Sequence, residues 1–128
     1  MAKQVIVEKK EYQIDAAGKI LGRMATEAAV LLRGKNTASW LPYITPENQV
    51  IIFNTDKIKV TGKKMEQKFY RHHTGYPGGL KEESLAKLLE RDSREVIKLA
   101  IYGMLPRNKT RDKIIKNLKL FKGPLRQV

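Results

Sequence analysis

The sequence predicts an α/β fold in a single domain, and three observations carry that prediction. Tyr12-Gln-Ile-Asp15 reads as a short strand that passes through a tight Ala17-Gly18 turn into a helical stripe. Val50-Ile-Ile-Phe53 is a continuous apolar run, the pattern of a strand covered on both faces in a parallel sheet. The second half of the chain then turns helical, with apolar residues recurring at three- and four-residue intervals. Strand, glycine turn and helix open a βαβ unit, and the handedness rule sends its crossover onto a parallel sheet without fixing strand order. At 128 residues the chain is one domain's worth, able to bury roughly two-thirds of the surface its unfolded form exposes.

Taken in order, residues 1–11 read as a polar arm with an extended Val5-Ile-Val7. A helix is expected over Gly22–Arg33, where Leu21, Met24, Ala25, Ala28, Leu31 and Leu32 share one stripe and Gly34 supplies the stop. Trp40 to Pro46 is a loop, because prolines at 42 and 46 prevent regular pairing, and its Trp40 and Tyr43 are expected to pin it to the core. After Val50–Phe53 and an Asn54–Asp56 turn, Ile58 and Val60 alternate with Lys59 and Thr61 as in a strand with one exposed face. Glu82 and Glu83 are placed in the first turn of a helix whose buried face is Leu85, Leu88 and Leu89. Asp92 and Glu95 have capping-box spacing ahead of Val96, Ile97, Ala100, Ile101 and Met104, and Gly103 and Pro106 end that helix. Asn108 caps a last helix with Ile114, Ile115 and Leu118 on one face; Arg111 falls near that apolar side and must snorkel or find a partner. Lys119–Phe121 is a final strand and 122–128 a tail.

Charge is distributed unevenly. The net charge is +13, yet the segment 57–81 holds seven Lys/Arg against Glu66 alone, and 106–128 holds eight against Asp112 alone. The other 80 residues carry 11 basic and 11 acidic side chains, which cancel. Solubility needs no such segregation, whereas a polyanion footprint does. In the first segment the cations alternate with Phe69, Tyr70, His72, His73 and Tyr76 ahead of a Gly75-Tyr-Pro-Gly-Gly79 turn. Cations neutralise phosphates, flat rings stack on bases, and the reading is one half of an RNA-facing surface. Lys109, Lys113 and Lys116, at i, i+4 and i+7, supply the other half.

Several function classes fall away. There is no cysteine, so no disulfide framework and no thiolate metal site, and a reducing intracellular compartment is expected. The longest apolar runs fall far short of a bilayer span, and the N-terminus lacks the pattern of a signal or transit peptide. His72 and His73 are sequence neighbours that point apart and have no further ligand at metal spacing. Gly18-x-x-x-Gly22 lacks the dinucleotide-loop spacing, Thr61-Gly-Lys-Lys64 echoes only the end of a P-loop, and Glu82, Glu83, Glu90 and Asp92 suit helix ends better than a nuclease centre. The rival binding mode is a DNA-reading helix-turn-helix formed by the last two helices. Its recognition face would offer mainly lysines, which grip backbone without reading bases.

Five ordered blocks then carry a family resemblance: Ile14-Asp-Ala-x-Gly-Lys-x-Leu-Gly-Arg23, Leu31-Leu-Arg-Gly-Lys35, Lys57-Ile…Thr61-Gly-Lys-Lys64, Tyr70-Arg-His…Gly75-Tyr-Pro-Gly-Gly-Leu-Lys81 and Gly103-Met-Leu-Pro106. With them the chain resembles the L-thirteen family of large-subunit ribosomal proteins, bacterial in type, from near Tyr12 to about Pro124. It departs from the family pattern at Glu11, at Pro46-Glu-Asn-Gln49, at His73-Thr74 and in its long N-terminal arm. The resemblance implies a three-layer α/β/α fold around a four-stranded, mainly parallel sheet, with basic loop and terminal extensions. It implies a structural constituent that binds large 23S-type ribosomal RNA, abuts neighbouring large-subunit proteins and acts early in assembly in the cytoplasm. It implies no catalysis, cofactor, metal, membrane, small-molecule substrate or homo-oligomer. The RNA-facing residues expected from the resemblance and the charge pattern together are Arg23, Arg33, Lys35, Lys63, Lys64, Lys68, Tyr70, Arg71, His72, Tyr76, Arg107, Lys109, Arg111, Lys113 and Lys116.

Overall fold

The computed structural model describes residues 10–36 and 47–124. Val5–Val7, the Trp40–Pro46 loop and the last four residues of the tail lie outside the described residues. The central sheet has three parallel strands, β1 (Glu11–Asp15), β2 (Gln49–Phe53) and β5 (Leu118–Leu120), in the order β1-β2-β5. Tyr12 and Ile14 pair with Val50 and Ile52, which pair in turn with Leu118 and Leu120. Because side chains alternate along a strand, these six residues share one face and all join the hydrophobic core. The opposite face carries Gln13, Ile51 and Lys119 in register, of which only Ile51 is buried.

The strand order has a consequence for the layers. It advances in one direction from β1 to β5, so right-handed crossovers place every intervening helix on the same side. The buried residues agree: Met24, Ala28 and Leu32 of α1 (Leu21–Arg33), Leu85 and Leu88 of α3 (Leu85–Arg91), Val96, Ile97 and Ile101 of α4 (Ser93–Met104) and Ile114 of α5 (Arg111–Ile115) form one cluster with Ile14, Val50 and Ile52. Among the described residues the arrangement is therefore one helical layer on a three-stranded sheet, where the resemblance implied three layers and four strands. The strand expected at Ile58–Thr61 shrinks to a single parallel bridge between Lys59 and Ile20. A 3₁₀ turn at Thr55–Lys57, entered through Asn54 at φ 59°, redirects the chain, and Gly62 turns it again before a ladder forms.

Local signals fix the helix ends. Gly34 sits at φ 77°, where a side chain would be strained, and its N–H bonds to the Val30 and Leu31 carbonyls. Asn48, 4 % exposed, donates to the Leu31 carbonyl at 3.1 Å and so fastens the approach to β2 onto the end of α1. Ser84 accepts from the Lys87 N–H, and Asp92 accepts from the Arg94 N–H at 3.0 Å. The buried hydroxyls of Thr55 and Ser93 lie 2.9 Å apart, and Ser93 donates to Asp56, so the turn after β2 is tied to the start of α4.

Two sequence readings shift here. Asp92 caps α4, but Glu95 pairs with Arg91 at 2.7 Å instead of closing a capping box. Glu82 and Glu83 lie in a strand, because their cross-strand partners Arg71 and Tyr70 claim them and the helix waits for Ser84. Asp92→Ala removes the cap and should lower stability by about 1 kcal/mol, measured by denaturant unfolding. The Arg94 guanidinium holds the Asp92 carboxyl below its usual range. The contribution is therefore full above the unfolded pKa of about 3.9 and fades as pH falls below it.

Candidate nucleic-acid interface

The basic segment expected to be an RNA-facing loop is a β-hairpin on a short helical stem. α2 (Lys64–Gln67) leads into β3 (Phe69–His73), which pairs antiparallel with β4 (Leu80–Ser84). α2 and α3 carry the hairpin on the body of the fold. The Gly-Tyr-Pro-Gly-Gly turn closes through Thr74 N–H to the Gly79 carbonyl and Gly79 N–H to the Tyr76 carbonyl. Gly79 has no room for a side chain: a Cβ there would stand 2.0 Å from Thr74 Oγ1. His73 Nδ1 accepts from the Gly75 N–H at 2.9 Å, so this histidine organises the turn.

Strand alternation divides the predicted residues between two faces. Phe69, Arg71, His73, Leu80 and Glu82 lie outward, while Tyr70, His72, Lys81 and Glu83 lie on the other face, whose Tyr70 end packs on the core. Tyr70 is half-buried, and burial pushes its phenol up, so the ring anchors the hairpin more than it offers a stacking platform. Arg71 is engaged: its Nε donates to Glu82 at 2.9 Å, and its guanidinium lies 5.8 Å from the centre of the Phe69 ring. Lys68 Nζ lies 5.3 Å from the centre of the Tyr70 ring. Lys63 and Lys64 are exposed beside the stem, with no acidic partner among the described residues. His72 is exposed, and Tyr76, 75 % exposed, stands at the tip. Arg91 ties the hairpin down by reaching Glu83 at 3.2 Å and Glu95 at 2.7 Å.

The second basic segment is more broken than its lysine spacing suggested. α5 covers only Arg111–Ile115, so Lys113 is helical while Lys109 and Lys116 flank it; all three are exposed. Asn108 Oδ1 accepts from the Thr110 N–H, and the Arg111 N–H bonds to the Asn108 carbonyl; these bonds spend Asn108 in the preceding turn. Arg111 finds the partner its position required. Its guanidinium stacks 3.9 Å from the centre of the Tyr102 ring, and the Tyr102 hydroxyl donates to Asp112 at 3.1 Å. Stacking fixes the plane of the guanidinium and leaves its edge to donate. Arg107 is exposed in the connector.

Around α1, Arg23 and Lys35 are exposed, but Arg33 is only 7 % exposed and lines a cleft between α1 and the end of α4. The body of the fold thus separates the candidates into the hairpin group, the α5 group and the α1 group. Sequence reasoning missed Glu82, Glu83 and Tyr102, which orient the cations. The signal for the first two was there: residues at equal distance on either side of the Thr74–Gly79 turn pair as Arg71 with Glu82 and Tyr70 with Glu83. Among the described residues no group of three or more His, Asp or Glu is placed to hold a metal ion. No described helix is long and apolar enough to cross a membrane.

Fold and surface together define a small α/β scaffold whose chemistry lies in arrayed cations. The chain belongs to the ribosomal protein L13 family, which it matches over residues 9–126. Among its relatives, the large ribosomal subunit protein uL13 of Clostridioides difficile is 46 % identical over 123 residues, 96 % of this chain and 86 % of the relative. The proteins of that name from Aquifex aeolicus and Synechocystis are each 48 % identical over 118 residues, covering 92 % of this chain and 82 % and 78 % of theirs. The chain is therefore a structural ribosomal protein and not an enzyme.

Proposed function

We propose that the chain is a constituent of the large ribosomal subunit that binds the large, 23S-type ribosomal RNA, packs beside neighbouring subunit proteins and joins early in assembly in the cytoplasm. It does so as one domain spanning residues 1–128, with 1–11 and 122–128 as arm and tail. The observation that carries this reading is the separation of exposed cations. Lys63, Lys64 and Lys68 lie at the hairpin stem, while Lys109, Lys113 and Lys116 lie at α5. The hairpin rests on α2 and α3, the second group on α1 and α4, and a single core joins α3 to α1 and α4. Two cationic groups held apart by one folded body offset phosphate repulsion at two places and clamp RNA segments that are distant in sequence. No small-molecule substrate, membrane or second copy of the chain is needed for this role.

The helix-turn-helix alternative loses support from α5, whose five residues give little length to read a major groove. A competition experiment separates the two. Bound to labelled large-subunit ribosomal RNA at moderate salt, the protein should resist displacement by random duplex DNA and yield to unlabelled ribosomal RNA. Equal displacement by both would favour a sequence-tolerant DNA-binding protein.

A further inference from the structure

Arg111 differs from the lysines around it in how it is held. Its backbone is fixed at the start of α5, where its N–H bonds to the Asn108 carbonyl at 3.2 Å and Ile114, one turn on, is fully buried in the core. Its far end is fixed as well, because the guanidinium stacks 3.9 Å from the centre of the Tyr102 ring in the last turn of α4. Asp112 is the only acid between residues 106 and 128 and the obvious partner for this charge. It accepts instead from the Tyr102 hydroxyl at 3.1 Å. Among the described residues no carboxylate pairs with Arg111, and no acceptor meets its guanidinium N–H groups. The side chain is half-buried, whereas Arg107, Lys109 and Lys113 beside it are exposed and equally without an acidic partner among the described residues.

We infer that the edge of the Arg111 guanidinium grips one phosphate of the ribosomal RNA through two parallel N–H bonds, and that Tyr102 is the positioning residue that holds this fork ready. The inference rests on the RNA-binding reading above and deepens it: one contact in the α5 group is built, while the lysines act as point charges. A planar fork matches the two oxygens of a phosphate or of a carboxylate. The surroundings favour the phosphate. Three further cations within four residues of Arg111 suit a backbone that presents one anion after another, where a single carboxylate of a neighbouring protein would answer only one of them. The ring contributes by restricting a long side chain before binding, so that less rotamer freedom is lost when the bonds form. The rival reading makes the stack a staple that only ties α5 to α4. Asp112 would reinforce such a staple by closing on the guanidinium, yet it bonds to the hydroxyl and leaves the fork's donors available.

The full chain is tested against protein-free large-subunit ribosomal RNA by filter binding over a salt series. Arg111→Lys keeps the charge and removes the fork. Its affinity should fall about tenfold, as the loss of one charge-assisted hydrogen bond would produce, with the salt slope of the wild type. Wild-type affinity in this variant overturns the inference and makes Arg111 one charge among several. Tyr102→Leu should cost about fivefold, whereas Tyr102→Phe, which keeps the ring, should stay within about twofold. Equal losses from Leu and Phe would deny the ring its role. In an Arg111→Gln background, Tyr102→Leu should cost nothing further, because no fork remains to be positioned. Additive losses overturn the inference, since Tyr102 would then act through the packing of α5. A loss from Arg111→Lys that appears only when other large-subunit proteins are present assigns the fork to a protein carboxylate and overturns it too. Failure of the wild type to bind ribosomal RNA would sink the ribosomal reading itself, whereas binding that ignores Arg111→Lys sinks only the fork.

Discussion

Replacing Lys63, Lys64 and Lys68 by glutamine should weaken binding to large-subunit ribosomal RNA about a hundredfold at roughly 0.1 M salt. The estimate follows from counterion release: each phosphate contact contributes about 0.7–0.9 to the slope of log affinity against log salt, so three contacts remove about 2–3. These lysines are exposed, sit together at the hairpin stem and have no acidic partner among the described residues. Neutralising them therefore leaves no buried charge behind, and the melting temperature should hardly change. Arg71 differs. Its charge is already shared with Glu82, so Arg71→Gln deletes a cation and releases a carboxylate, and the hairpin pairing suffers as well. Filter binding across a salt series, with thermal unfolding alongside, separates these effects. A slope equal to that of the wild type would remove the hairpin stem from the interface.

The second large effect runs the other way. Ile97 is fully buried in the core cluster that α4 shares with α1 and α3, and Ile97→Ala leaves a cavity worth about 2–5 kcal/mol. Small domains carry only about 5–15 kcal/mol of stability in total, so the melting temperature should drop by roughly 10 °C. No cation is touched, and the fraction that stays folded should bind ribosomal RNA with the wild-type salt slope. Saturating RNA should raise the melting temperature of this variant as it raises that of the wild type, because a ligand that binds only the folded state stabilises it by mass action. Core and surface are thus expected to dissociate: one variant loses stability and keeps its contacts, the other loses contacts and keeps its stability. A variant with unchanged melting temperature would contradict the placement of Ile97 in the core.

How much of this was legible in the sequence depends on the range of the physics. The ends of α1 and α4 could be read because Gly34 and Asp92 act on their own neighbours. The apolar run at Val50–Phe53 announced a central strand, since Val50 and Ile52 are buried against the helices and Ile51 on the opposite face is buried as well. The strand expected at Ile58–Thr61 was misread because alternation supplies a face but no partner: after the 3₁₀ turn only Lys59 meets Ile20 in a ladder. Glu82 and Glu83 look like first-turn acids to any local rule. They became strand residues through cross-strand pairing with Tyr70 and Arg71, a contact made over eleven residues and more.

The candidate site shows the same limit. Composition located the cations, and it said that Arg111 would need a partner, but Tyr102 lies a helix away and only packing brings its ring to 3.9 Å. Tyr70 and His72 alternate with cations in the sequence and look equivalent, yet one end of their strand face packs on the core and the other stays exposed. Arg33 closes a helix in the sequence and is expected to face RNA, but it is buried and lines the cleft between α1 and the end of α4. Charge is visible residue by residue, whereas orientation is a property of the fold.

If the proposed function holds, the separated cation groups keep this protein in the large subunit through its RNA. Sedimenting a cell lysate through a high-salt cushion and probing each fraction for the protein tests it most directly. The protein should travel with large subunits, because many phosphate contacts made together outlast the screening that strips isolated ones. A free, slowly sedimenting pool with no subunit-bound fraction would contradict it.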